Sequence, residues 1–267
     1  MVTINTNTAS LNAQRNLSTT AGSLSTAMQR LSSGLRVNSA KDDAAGLAIA
    51  ERMNSMTRGM NVAIRNSNDA ISLAQTAEGA LGAISNNLQR MRELAVQAAN
   101  GTNSSSDIVA LDAEYLLLVD ENARVISSST FNGQALLSAA TSFQFQVGPN
   151  GSDTITINAA QAIPTTTTLG TTNATAGAEI ALIDADIDQM NSIRATWGAS
   201  QNRFEGVISN LRVAAENSAA SRGRIMDADY AMETSNLSRS QVLQQAGTAM
   251  VAQANQMPQS VLSLLRQ

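Results

Sequence analysis

Apolar residues in the first 35 positions recur at helical spacing. Leu17, Leu24, Met28, Leu31 and Leu35 are separated by seven, four, three and four residues, which places them on one stripe of a helix that stops around Gly34 and Asn38. Ser39 and the acidic pair Asp42-Asp43 then open a second helix, where carboxylates complement the helix dipole. Its seam is the most regular in the chain. Ala74, Ala77, Leu81, Ile84, Leu88, Met91, Ala95 and Ala98 alternate steps of three and four, as in a coiled coil. Helical from Ala44 to Ala99, the segment would be about 85 Å long. Asn100-Gly101 is expected to end it through a left-handed cap.

A third helix is expected over about Ser106 to Ser129, reaching a turn at Phe131-Asn132-Gly133. The period then changes to two. Phe143, Phe145 and Val147 alternate with glutamines, Gly148-Pro149-Asn150-Gly151 turns the chain, and Thr154 to Ile157 alternates again, so a β-hairpin is expected. The run from Pro164 to Gly177 is Thr-rich and reads as a surface loop. Helical spacing returns at Ile180, Ile183, Ile187, Met190, Trp197, Phe204, Ile208, Leu211 and Ala215, with Arg194 and Gln201 as polar interruptions. A last stripe uses Leu243, Ala246, Met250, Ala254, Met257, Val261 and Leu264, and Pro258 within it should kink or restart the helix.

The fold class is therefore mainly α: an elongated, coiled-coil-like bundle of long N- and C-terminal helices with a small β-hairpin insertion. Two parts are expected. Residues 1–41 with 235–267 form a pair of terminal helices. Residues 42–234 form a helical domain carrying the hairpin and the Thr-rich loop at about 138–178.

Charge changes the reading of the ends. Between Met1 and Ala40 the charged side chains are Arg15, Arg30 and Arg36, and from Ser235 to Gln267 they are Arg239 and Arg266. A helix that only covers its own domain carries a charged outer face. These do not, so they are expected to meet neighbouring copies, and to be disordered until those copies arrive.

Composition narrows the chemistry. Hydrophobic residues make up 43% but aromatics only 3%, which suits Ala-rich helices packed closely rather than a ring-anchored mixed fold. The chain has no cysteine and no histidine, removing thiolate chemistry, disulfides and the commonest general base and metal ligand. A net charge of −4 argues against nucleic acid as a partner. No basic-then-apolar leader and no run long enough to span a bilayer is present, so a soluble chain, exported by a route that reads no classical signal peptide, is expected. Asp184-Ala185-Asp186-Ile187-Asp188 begins like a calcium loop, but Gln189 and Ala195 stand where Gly and Glu are required, so it reads as a solvated helix start. Asp42/Asp43 and Asp227/Asp229 read as caps or partners of Lys41, Arg222 or Arg224 rather than catalytic pairs. Cofactors and metals are not expected.

Several long segments, in order, resemble bacterial flagellin. They are LNAQRNL (11–17), LSSGLRVNSAKDDAAGLAIAERM (31–53), LQRMRELAVQAANGTN (88–103), FNG (131–133) and NRFEGVISNL (202–211), followed by Arg224 to Tyr230 and the stretches at 245–248 and 253–258. The resemblance implies a filament subunit for swimming motility, found outside the cell on the flagellum. Its terminal helices would line the inner tube, packed through Leu17, Leu24, Met28, Leu31, Leu35, Leu243, Met250, Met257, Val261 and Leu264. It further implies self-assembly as a helical polymer, with an export chaperone, a cap protein and hook-junction proteins as partners, and no membrane insertion or enzymatic activity. O-linked sugars around 138–176 are an expectation of the same kind. A hook–filament junction protein is the alternative within the superfamily. Gln89, Arg90, Leu94, Gln97 and Glu114 occupy the positions read in flagellins by the animal Toll-like receptor for flagellin. One stretch departs from the family. Tyr115-Leu116-Leu117-Leu118-Val119 cannot all face one side of a helix, so some of these residues point outward, against a neighbouring subunit or toward an exterior contact.

Overall fold

The computed structural model describes residues 6–137, 142–158 and 168–264, with side chains to residue 256. The first part of the Thr-rich run (Pro164 to Thr167) and the side chains of Met257, Pro258, Val261 and Leu264 lie outside the described residues. The rest of that run is not all surface loop: Leu169 and Ala176 are buried, and the residues from Asn173 on are the first turn of a helix. Among the described residues five helices and four short strands follow one another: α1 (Thr8–Ser33), α2 (Ala44–Ala98), α3 (Ser105–Ser128), β1 (Thr130–Phe131), β2 (Gln134–Ala135), β3 (Ser142–Gln146), β4 (Thr154–Asn158), α4 (Asn173–Met226) and α5 (Tyr230–Leu264). The class is mainly α with a small β part, as the periodicities indicate. The chain divides into two compact units, one of residues 1–55 with 217–267 and one of residues 56–216.

In the first unit α1 and α5 run antiparallel. Asn7 Nδ2 donates to the Ala254 carbonyl at 2.7 Å and Ser10 Oγ to Asn255 Oδ1 at 2.7 Å, while Arg30 meets Glu233 at the far end. Gly34 caps α1 at φ 72°, a left-handed conformation that glycine adopts without a Cβ clash. The next residues form a short clasp with the end of α4 and the segment just after it. The Arg36 amide donates to Met226 O at 2.6 Å, the Ala228 amide to Gly34 O at 2.9 Å, and the Arg36 guanidinium to Ile225 O at 2.7 Å. Val37, Ala50 and Met226 are buried beneath it. Asp43 caps α2 by accepting from the Gly46 amide at 2.8 Å, and Asp229 caps α5 by accepting from Ala231 and Met232. The backbone of α5 passes through Pro258 as one element, so the expected restart there does not occur. A proline removes one helix hydrogen bond, and the surrounding turns carry the helix through that loss.

The second unit is built on the predicted seam. Leu81, Ile84, Leu88, Met91, Leu94 and Ala95 of α2 are buried against Ile108 and Tyr115 of α3 and against Ile183, Met190, Trp197 and Phe204 of α4. Ile193, rather than Arg194, takes the position between Met190 and Trp197. The α4 seam steps by three and then four there, which turns Arg194 to the side where it pairs with Glu78 at 2.9 Å. Asn87 donates to the buried Asn122 at 2.8 Å, a polar contact within the α2–α3 seam.

α3 opens with a reciprocal capping box between Ser104 and Asp107. Asn132 and Gly133, both at positive φ, make the tight turn of the β1–β2 ribbon. In the β3–β4 hairpin Phe143 opposes Ile157 and Phe145 opposes Ile155, so the inward face packs on the helices. Phe145 meets Phe204 edge-to-face with centroids 5.6 Å apart.

Two local expectations fail for identifiable reasons. Neither Asn100 nor Gly101 is left-handed. The Gln97 carbonyl instead accepts locally from the Asn100 amide and Asn103 Nδ2, while Asn173 Nδ2 donates to Ala98 O at 2.9 Å and to Asn100 O, just past the helix, at 2.7 Å. The Asn173 contact comes from more than 70 residues away and has no local signal. The run at 184–188 is not a solvated helix start either. α4 begins at Asn173, Asp186 is buried, and Asp184 forms a two-bond pair with Arg92.

Candidate functional site

The pairing of α1 with α5 is unusual in what it hides. The contact buries Ser10, Ala27, Glu233, Ser240 and Ala254, and brings Gly247 against Leu17. These small or polar residues let two helices approach closely. Leu17, Leu24, Leu31 and Leu35 are only half-buried. Met28 is 57% exposed, Leu243 51% and Met250 63%. Leu11, Val242 and Met232 are also exposed. Large apolar groups thus sit outside the pair, the reverse of a self-sufficient helical hairpin.

The polar side chains on this pair are prepared for burial. Thr19, Thr20, Ser23 and Thr26 each donate back to the carbonyl four residues earlier, at 2.9–3.2 Å. A hydroxyl already bonded to its own helix loses little when water leaves. These residues line an open groove of about 760 Å³ between α1 and α5, with Arg30, Glu233 and Arg239 on its walls. A second, more apolar groove of about 390 Å³ is lined by Ala13, Leu17, Leu243, Gly247 and Met250. Both are shallow, helix-sized depressions rather than enclosed ligand pockets.

The second unit carries the other candidate face. Gln89, Arg90, Glu93 and Gln97 are exposed on α2, beside Glu114 on α3. Arg90 is the hub. Its Nε and Nη2 donate to Glu114 Oε1 at 2.9 and 2.8 Å, and its Nη1 to Glu93 Oε2 at 2.9 Å. Hydrogen bonds to Glu114, then to Glu93, push the guanidinium further toward its charged form. Leu94, by contrast, is fully buried in the core. It supports this face from beneath and offers no atoms to a partner of the folded unit. The adjoining apolar stretch separates as its period requires. Tyr115 is buried and donates to Glu179 at 3.2 Å, while Leu117 is 69% exposed and Leu116 41%. Among the described residues no helix is long and apolar enough to cross a membrane.

Paired terminal helices that leave their large apolar side chains facing outward are the mark of a subunit of a self-associating helical assembly. The comparisons with known proteins say which. The chain matches the bacterial flagellin N-terminal helical region over residues 4–142 and the bacterial flagellin C-terminal helical region over residues 180–265. It is 45% identical to a flagellin of Halalkalibacterium halodurans, over 98% of this chain and 99% of the relative. It is 42% identical to a flagellin of Xenorhabdus nematophila, over 98% and 99%. The crystal structure of Bacillus cereus flagellin superimposes with a TM-score of 0.52 at 39% identity, covering 59% of this chain and 94% of that one. The chain belongs to the bacterial flagellin family, and it is a structural subunit of the flagellar filament. Nothing in these likenesses favours the hook–filament junction alternative.

Proposed function

We propose that residues 1–41 and 235–267 form the inner tube of the filament and that residues 42–234 form the layer around it. One observation carries this reading: the α1–α5 pair keeps Ser, Gly and Ala inside and leaves Met28, Leu243 and Met250 outside. In a lone chain that face stays wet. In the polymer it becomes the contact, so the terminal helices gain most of their order from neighbours. The protein carries no catalytic activity of its own, in keeping with a sequence without histidine or cysteine. It leaves the cell without a classical signal peptide, is escorted by an export chaperone and adds beneath a cap. Monomers are read by the animal Toll-like receptor for flagellin through Gln89, Arg90, Gln97 and Glu114, with Leu94 holding that face in shape.

The test is seeded growth. Purified protein is dissociated, returned to neutral buffer with short filament seeds and viewed by negative-stain electron microscopy. Long uniform filaments are expected. Folded protein that leaves competent seeds unextended overturns the assignment.

A further inference from the structure

α3 has two apolar stripes, and its own unit uses only one. The inner stripe contains Ile108, Tyr115 and Asn122. On the opposite side Val109, Ala113, Leu116, Asp120 and Ala123 are all exposed and follow one another by four, three, four and three residues, with Leu117 beside them. Val109 is 56% exposed. Alternating steps of three and four are the signature of a helix-packing seam, and the alanines keep it low enough for another helix to approach. Chance exposure of single leucines produces no such period. A helix apolar on both sides is a helix with a partner on both sides.

We infer that this outer seam of α3 docks into the groove between α2 and α4 of a second copy. That groove is open, about 570 Å³, and floored by Ile71 and Ile208, with Val213 and Arg212 on its rim. Ile208 is buried and Ile71 half-buried, so the floor is apolar, as a leucine ridge requires. Charge selects the register. Asp120 is the one acidic residue within the seam, and the groove carries two charged residues, Glu205 and, seven positions on, Arg212. No ion pair or hydrogen bond within the described residues engages Asp120 or Arg212. Docking that seats Leu116 and Leu117 on the floor with Asp120 at the Arg212 end, away from Glu205, pairs the two opposite charges and fixes the direction of the helix. The two patches differ, so the contact is heterologous and can repeat from copy to copy, as a filament demands. The inference rests on the filament assignment and adds a specific contact to it.

Because the chain has no cysteine, cross-linking reads the contact directly. Leu117→Cys and Val213→Cys chains are mixed in equal amounts, assembled under reducing conditions and then oxidised. Disulfide dimers that need both variants are expected. No dimer, or dimers from Leu117→Cys alone, overturns the docking. In the full chain, Asp120→Arg and Arg212→Asp should each raise the critical concentration for polymerisation at least about tenfold, and the double swap should restore it. A double swap no better than either single change also overturns the inference. If the unsubstituted protein fails to extend seeds, it is the filament assignment that falls.

Discussion

Arg30 Nη1 lies 2.9 Å from Glu233 Oε1, joining α1 to α5 between residues 203 positions apart in sequence. The carboxylate is buried and the guanidinium partly so. Glu233→Gln keeps the shape but leaves the cation half-compensated. The expected loss is roughly 1–2 kcal/mol of helix-pair stability, reduced from a fully buried pair because water still reaches Arg30. Faster amide exchange across 8–33 and 230–256, with residues 70–204 unchanged, would show it. Equal protection in both proteins would mean the pair is ornamental.

Gly247 sets how closely the terminal helices pass. A Cβ there would stand 3.1 Å from Leu17 Cδ1, the mobile end of a side chain. Gly247→Ala is therefore expected to be near neutral. The gain in helix propensity of about 1 kcal/mol offsets a small displacement of Leu17. Gly247→Val adds branches that Leu17 cannot clear, and should weaken both the pair and assembly. Critical concentrations for the two variants decide it, and equal values would remove the close-approach argument.

Acid should unmake the fold through named carboxylates. Hydrogen bonds hold four of them below the usual range: from Ser39 for Asp42, Ser104 for Asp107, Arg124 for Glu121 and Arg92 for Asp184. Each folded value lies below its unfolded one. Their contribution is therefore complete above the unfolded value, near pH 4, and is lost as pH falls through the folded value. Glu179 has the opposite sign. Burial, helped by the charge of Asp186 and opposed by the Tyr115 hydrogen bond, raises it, so its contribution falls as pH rises through the raised value. The four lowered groups lose their contribution on acidification, and Glu179 works the other way. In urea titrations against pH, Asp184→Asn should converge on the parent at low pH, and Glu179→Gln should gain relative to it toward neutrality. Parallel curves for all three proteins would contradict both signs.

The surface proposed above to meet the receptor offers a separation of contact from support. Arg90→Ala removes the hub of an exposed network and should lower signalling in reporter cells with little change in thermal stability. Leu94→Ala opens a cavity in the core and should cost about 2–5 kcal/mol. If its signalling falls only in proportion to the folded fraction, Leu94 acts from beneath. A silent parent protein would end the proposal.

How much of this was legible in the sequence depended on the reach of each interaction. The α2 seam from Ala74 to Ala98 was readable because a period of three and four is local and Ala, Leu and Ile report it directly. The β3–β4 hairpin was readable for the same reason at period two. The cap of α2 was not, since Asn173 reaches Ala98 and Asn100 from another helix while Asn100-Gly101 offers a plausible local stop. Ile193 was passed over because Arg194, one residue on, also fits a helical step, and only the side view of α4 separates them. Leu94 was grouped with its exposed neighbours by motif, although its own spacing from Met91 and Ala98 already placed it on the buried stripe. The terminal stripes were legible, and it was the scarcity of charge, not the period, that turned them toward neighbouring copies. Periodicity shows that Met28 and Leu243 share faces with other apolar residues, and says nothing of whether that face looks toward the partner helix or away from it.

The clasp between Gly34–Val37 and Ile225–Ala228 has a kinetic consequence for those terminal helices. It holds the end of α1 beside the start of α5, so the entropy of closing a loop of nearly 200 residues is already spent when the helices begin to form. Each further turn then adds to a nucleus instead of searching for one, at an effective concentration set by a tether of only a few residues. Order should spread from Arg30 and Glu233 toward Asn7 and Ala254 and melt back along the same line. The clasp makes the two arms behave as a zipper with a fixed starting tooth.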